Sequence, residues 1–166
     1  MKLSIVIPVY NEKDTLKKII KKVEAVELEG IEKEIVLVDD ASTDGTAEII
    51  KELEKEKGYK VYYQLVNQGK GASLRDAFQL TTGDYVIVQD ADLEYDPNDY
   101  KKLLRALDEQ NADVVYGSRF SGNYEDMSGL HYYGNKALTL LTNVFYGVML
   151  TDMETCYKLL PGEFVR

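Results

Sequence analysis

The sequence predicts an α/β fold, a mostly parallel sheet with helices on both faces joined by right-handed crossovers. Two observations carry that prediction. Short apolar or aromatic runs at residues 3–9, 35–38, 60–64, 85–88 and 113–116 alternate with stretches of helical apolar periodicity. Three of these runs also stop at acid: Glu12 after the first, Asp39 and Asp40 after the second, Asp90 and Asp92 after the fourth. Parallel strands end at one edge of a sheet, and open α/β sheets hold their ligands at that edge.

The 166 residues match the usual span of one domain, about 100–200, and 45% of them are hydrophobic, enough for a core. A net charge of −9 excludes a nucleic-acid surface, which needs a basic stripe to displace counterions. Cys156 is the single cysteine, so no internal disulfide forms and a reducing compartment is expected. With one histidine, His131, the usual zinc clusters are excluded. No run reaches the roughly 18 apolar residues of a membrane span. The amino terminus enters a strand at once, unlike a signal peptide. A soluble, cytoplasmic domain is the expectation.

The first strand opens into Tyr10-Asn11-Glu12 without the glycines that let backbone N–H groups cradle phosphate. Asp14 is the expected N-cap of a helix reaching about residue 29, with Leu16, Ile19, Ile20 and Val23 inward. The second strand ends at Asp39-Asp40, and Ala41-Ser42-Thr43-Asp44-Gly45 turns into a helix over 46–57 with Ile49, Ile50 and Leu53 buried. After the third strand, Asn67-Gln68-Gly69-Lys70-Gly71 brings glycines for close approach and a lysine to meet an anion; equally, it is the turn that a helix over 72–81 requires. Past the fourth strand, Asp96-Pro97-Asn98-Asp99 starts a helix with Tyr100, Leu103, Leu104 and Leu107 on its buried stripe. The fifth strand closes at Gly117-Ser118-Arg119-Phe120. Residues 121–130 read as a mobile polar loop, 132–148 as a helix and 156–160 as a last strand.

The chemistry concentrates after the fourth strand. In extended chain, residues two apart point the same way, so Asp90, Asp92 and Glu94 present oxygens to one side. Carboxylates that close repel, and a hard divalent cation relieves the repulsion; the alternative is a solvated acidic turn. A nucleotide diphosphate carried on a cation suits such an edge. Carboxylates also accept from a base N–H or a ribose hydroxyl, and Tyr10 can stack on the base. Against this, Tyr10 is one of thirteen tyrosines, and Asp39 and Asp40 also suit helix capping.

The series Ser4-Ile5-Val6-Ile7-Pro8-Val9-Tyr10-Asn11-Glu12, Val38-Asp39-Asp40-Ala41-Ser42-Thr43-Asp44-Gly45-Thr46, Asn67-Gln68-Gly69-Lys70-Gly71, Asp90-Ala91-Asp92 and Gly117-Ser118-Arg119 resembles the inverting glycosyltransferases of family 2. Their fold is GT-A, a Rossmann-like nucleotide-diphospho-sugar transferase. The segment Thr151-Asp152-Met153-Glu154-Thr155-Cys156-Tyr157-Lys158 is similar to the branch of dolichol-phosphate mannose synthase and the polyprenyl-phosphate glycosyltransferases. The resemblance implies Pro8, Tyr10, Glu12, Asp39, Asp40, Asp90 and Ala91 around the nucleotide, and Asp90 and Asp92 at Mg²⁺ or Mn²⁺. Glu94, where many members carry Gln, is a third candidate ligand. It implies catalytic roles for Asp92 and Arg119, the arginine lying near the phosphates of donor or acceptor. Lys136 is the candidate for the lipid phosphate, where members often carry an arginine.

The resemblance further implies a donor such as GDP-mannose or UDP-glucose, a polyprenyl phosphate acceptor and, through that lipid, the cytoplasmic face of a membrane. Family catalytic domains run beyond this length, so an incomplete domain is expected. An acceptor hydroxyl would instead demand a general base, for which Asp152 is the candidate. A non-catalytic nucleotide-sugar-binding module is a further alternative. An aspartyl-phosphate phosphatase would place its Asp pair after the first strand, and a nucleotidyltransferase would need a Gly-rich first loop; this chain has neither.

Overall fold

The structure, a computed structural model, describes residues 1–121 and 129–166. Most of the loop expected over 121–130 therefore lies outside the described residues. The elements run β1 (Lys2–Val9), α1 (Leu16–Ala25), β2 (Glu32–Asp39), α2 (Thr46–Lys57), β3 (Lys60–Tyr63), α3 (Lys70–Leu80), β4 (Tyr85–Val88), a 3-10 turn (Pro97–Asp99), α4 (Tyr100–Glu109), β5 (Val115–Tyr116), a second 3-10 turn (Arg119–Ser121), α5 (Gly129–Tyr146), β6 (Lys158–Pro161) and α6 (Gly162–Val165). They build the expected α/β architecture, a six-stranded sheet ordered β3-β2-β1-β4-β6-β5.

Strands β3, β2, β1 and β4 are parallel. The last strand begins two residues later than expected, and β6 runs antiparallel to both β4 and β5. Alternation along β1 divides the core between the sheet's faces. Leu3, Ile5, Ile7 and Val9 join Ile19 and Ile20 of α1, Ile50 of α2 and Leu103 and Leu104 of α4. Val6, with Val36, Val38 and Val86, packs on Ala77 of α3.

Helix ends depart from the sequence expectation where distant side chains reach them. The N-cap of α1 is Thr15 instead of Asp14, because the chain turns at Glu12, whose carbonyl accepts the Thr15 and Leu16 N–H groups. The same helix stops at Ala25, before residue 29. Lys33 donates to the carbonyls of Val23, Glu24 and Val26 at 2.7–2.9 Å and so satisfies that end. Helix α3 starts at Lys70, two residues early, because Asp40 accepts the N–H groups of Gln68 and Gly69 at 2.7 and 2.8 Å.

At the amino edge of the sheet, Glu34 of β2 gathers four segments. Its carboxylate accepts from Ser4 Oγ of β1 at 2.5 Å and from Thr82 N and Oγ1 at 2.8 and 2.7 Å. It also pairs with Lys60 of β3 and Lys2 of β1 at 2.8 and 3.2 Å. Gly83 then passes directly under β1: a Cβ there would fall 2.6 Å from Ser4 Oγ. This close approach seats β4 beside β1.

Burial opposes the charge on Glu34, but the hydrogen bonds from Lys60, Ser4 and Thr82 outweigh it and hold the carboxyl well below the usual carboxylate range. A depressed carboxyl pKa contributes stability above its unfolded value, near pH 4.3, and loses it as pH falls toward the folded value. Urea midpoints of the protein should therefore fall from about pH 5 downward. Glu34→Gln should be less stable at neutral pH and flatter across that acid limb; an equally steep limb in the variant would refute the assignment.

Candidate active site

Strand order reverses at β1. The chain crosses from β1 to β2 on one side, while β4 lies on the other, and such a reversal opens a crevice at the carboxyl ends of the two central strands. A cavity of about 230 Å³ lies there, lined by Pro8, Val9, Tyr10 and Glu12 after β1, Asp40 after β2, Lys70 and Ser73 of α3, and Asp90, Ala91 and Asp92 after β4.

Gln89 fixes the end of β4. It is fully buried, its Oε1 accepts the Tyr100 and Tyr157 hydroxyls at 2.7 and 2.8 Å, and its N–H donates to Val6 O. Asp90 thus leaves the sheet at a set angle and meets Lys70 Nζ at 2.5 Å. Burial lowers the lysine's pKa, yet the hydrogen bond and charge of Asp90 raise it above its ordinary value. Behind this pair sits Cys156, 3.8 Å from Lys70 Nζ. Burial, with the charge of Asp90 adding to it, pushes the thiol up to about 12, so it stays neutral and is no nucleophile.

The three alternating acids do not share one face. Strand β4 ends at Val88, Leu93 adopts a left-handed φ of 71°, and Asp92 Oδ1 accepts the Glu94 N–H at 3.0 Å. Asp90 and Asp92 line the cavity; Glu94 does not. Asp39 is buried, accepts the Ser42 N–H at 3.2 Å and also stands outside the lining. Asp40 lines it with both oxygens committed to the loop before α3. Glu12 accepts the Thr15 hydroxyl, and Tyr10 is 47% exposed at the mouth. Val9 and Ser73 line the cavity as well. The sequence reading did not select them, since an apolar strand residue and a helical serine carry no chemical signal.

Outside this cavity, Arg119 and Asp152 form a bidentate pair, Nε to Oδ2 at 2.8 Å and Nη2 to Oδ1 at 2.9 Å, with the Arg119 N–H also on Oδ2 at 3.0 Å. The Asp152 side chain is wholly buried. Burial pushes its pKa up, but the arginine's hydrogen bonds and charge prevail and hold it below the ordinary value. A carboxylate so held is a poor general base. Lys136 lies 4.0 Å over the ring of Phe120, the residue after Arg119.

The donor set bears on the divalent ion implied by the sequence resemblance. Among the described residues no group of three or more His, Cys, Asp or Glu is placed to hold a metal. The two carboxylates Asp90 and Asp92 fit a hard cation that completes its shell with water and substrate phosphate oxygens, the usual arrangement for Mg²⁺.

The fold is GT-A and the chain belongs to glycosyl transferase family 2, whose family model matches residues 4–157. Undecaprenyl-phosphate 4-deoxy-4-formamido-L-arabinose transferase of Edwardsiella ictaluri is 41% identical over 116 residues, 68% of this chain and 35% of the relative. Dolichol-phosphate mannosyltransferase of Pyrococcus furiosus is 35% identical over 120 residues, 72% of this chain and 34% of the relative. The chain spans about a third of the length of these curated relatives. Mannosyl-3-phosphoglycerate synthase from Rubrobacter xylanophilus superposes with a TM-score of 0.76 at 25% identity, over 99% of this chain and 54% of its own.

Removing Asp152 strands the Arg119 guanidinium, whose side chain is 18% exposed, without its counter-charge. Asp152→Ala should cost about 3 kcal/mol in chemical denaturation. A loss within experimental error would show that Arg119 does not depend on Asp152 as its counter-charge.

Proposed function

We propose that the chain transfers a hexose, mannose or glucose, from a nucleoside diphosphate sugar to a polyprenyl phosphate with inversion at the anomeric carbon. The cavity at the β1/β4 reversal carries this reading, because one lining brings together Asp90 on Lys70, Asp92 and Tyr10. Tyr10 offers its ring to the base. Pro8 and Ala91 form walls, Glu12 and Asp40 line the nucleotide end, and Asp39, outside the lining, supports it by holding the loop after β2 through Ser42. Asp90 and Asp92 would hold Mg²⁺ or Mn²⁺, which when bound neutralises the diphosphate and stabilises it as a leaving group.

The state of Asp152 favours a phosphate acceptor over a hydroxyl. A phosphate is already anionic near neutral pH and needs no strong base, so positioning and charge stabilisation supply the rate. In this reading Asp152 orients Arg119. Its two side-chain bonds use two of the five guanidinium N–H groups and leave others for phosphate. Lys136, held on Phe120, brings a second cation to the same segment. Helix α5 continues from Lys136 with Leu140, Leu141, Val144 and Phe145 exposed, an apolar surface compatible with a prenyl chain. Among the described residues no helix is long and apolar enough to cross a membrane.

Calorimetric titration with GDP-mannose and UDP-glucose, each with Mn²⁺ and with EDTA, should give metal-dependent binding of one donor. Asp92→Asn should abolish that binding, and unchanged donor affinity in the variant would overturn the metal assignment. Turnover with polyprenyl phosphate in vesicles, against a sugar acceptor, separates transfer to phosphate from transfer to hydroxyl. Donor binding without either product would indicate a binding module.

A further inference from the structure

Lys70 is the sole cation among the residues lining the cavity, facing Glu12, Asp40, Asp90 and Asp92. Its partner is specific: Nζ lies on Asp90 Oδ1, one of the two carboxylates suited to a divalent ion. We propose that Lys70 is the resident counter-ion of Asp90, holding the carboxylate while the metal is absent, and that metal binding hands its ammonium over to the donor's diphosphate. The proposal rests on the nucleotide-sugar reading and assigns Lys70 a defined part in it.

Asp90's side chain is 17% exposed, and a charge so far withdrawn from water is costly without a partner. Lys70 supplies one. A divalent cation on the same oxygen would sit about 4 Å from an ammonium that is 2.5 Å from that oxygen, and the two positive charges would repel. Lys70 would yield Asp90 to a metal carrying twice its charge. Where the ammonium goes is limited by its attachment. Its Cα is pinned at the start of α3 by the Asp40 bonds to Gln68 and Gly69, while its side chain is 50% exposed on a flexible stem. A diphosphate on the metal would be the anion within reach, at the positive end of the α3 dipole. Lys70 and metal therefore compete for Asp90 when the donor is absent and cooperate when it is present.

This predicts opposite signs in two measurements on the 166-residue chain. By the electron paramagnetic resonance of free Mn²⁺, Lys70→Met should bind Mn²⁺ alone about five- to tenfold more tightly than the parent, since a competing cation is gone. Saturating GDP or UDP should strengthen Mn²⁺ binding less in the variant than in the parent, by at least the same factor, as reciprocal coupling requires. Lys70→Arg, which keeps the charge, should bind Mn²⁺ alone as the parent does. Thermal melts of both variants verify folding. Unchanged or weaker Mn²⁺ binding by Lys70→Met, with the parent binding Mn²⁺ and nucleotide, overturns the role of Lys70 alone. A parent that takes up neither Mn²⁺ nor either nucleotide overturns the nucleotide-sugar reading, and this proposal with it.

Discussion

Parallel pairing on both sides of β1 is the constraint on which the rest of the molecule depends. Register fixes Val9 opposite Asp39 and Val6 opposite Val88, so three strands end within a short distance of one another at one edge. Pairing then runs one residue further, Asp40 N–H on Val9 O and Gln89 N–H on Val6 O. Asp40 is thus the last residue held by the ladder on one side of the reversal, and Asp90 the first released from it on the other. Their backbone positions are set by the sheet, and only their side chains remain to be assigned to structure or to chemistry.

That assignment is made by hydrogen bonds. Asp40 gives both oxygens to backbone N–H groups and Asp39 accepts from Ser42, which ties down loops that lack regular pairing. Asp90 instead meets a lysine on a flexible stem, and Asp92 is exposed with one oxygen on a local turn. Asp39 and Asp40 are filled by backbone donors of the loops, whereas Asp90 and Asp92 line the cavity with a lysine and a single local N–H as their partners. Asp152, with both oxygens on Arg119, falls with the filled carboxylates in the same division.

Local pattern made most of the fold legible. Apolar runs located β1, β2 and β4, and α2 begins and ends where its periodicity does, at Thr46 and Lys57. What stayed hidden lies in contacts between residues far apart in sequence. Lys33 ends α1, Asp40 starts α3 from 28 and 29 residues away, and Arg119 finds Asp152 across 33. Glu94 leaves the alternating pattern for a local reason of another kind: alternation assumes extended chain, and a left-handed leucine interrupts it. The antiparallel course of β6 likewise depends on how the chain returns after α5, which no apolar run encodes.

The first loop shows how far the shared sheet edge can depart from the glycine-rich nucleotide folds. There, backbone N–H groups at a helix N-terminus take the phosphates. Here the entry to α1 is committed elsewhere: the Glu12 carbonyl accepts from Thr15 and Leu16, the Glu12 N–H donates to Thr46 Oγ1 at 2.9 Å, and the Asn11 N–H to Ser42 Oγ at 3.0 Å. With those N–H groups spent on joining the loops after β1 and β2, a diphosphate in the cavity has to be balanced by cations. Lys70 is on the wall, Asp90 and Asp92 suit a divalent ion, and Lys136 of α5 lies over Phe120, the neighbour of Arg119. An acid-rich sheet edge is therefore not at odds with an anionic substrate on the proposed reading, because its carboxylates position the cations that meet the phosphates.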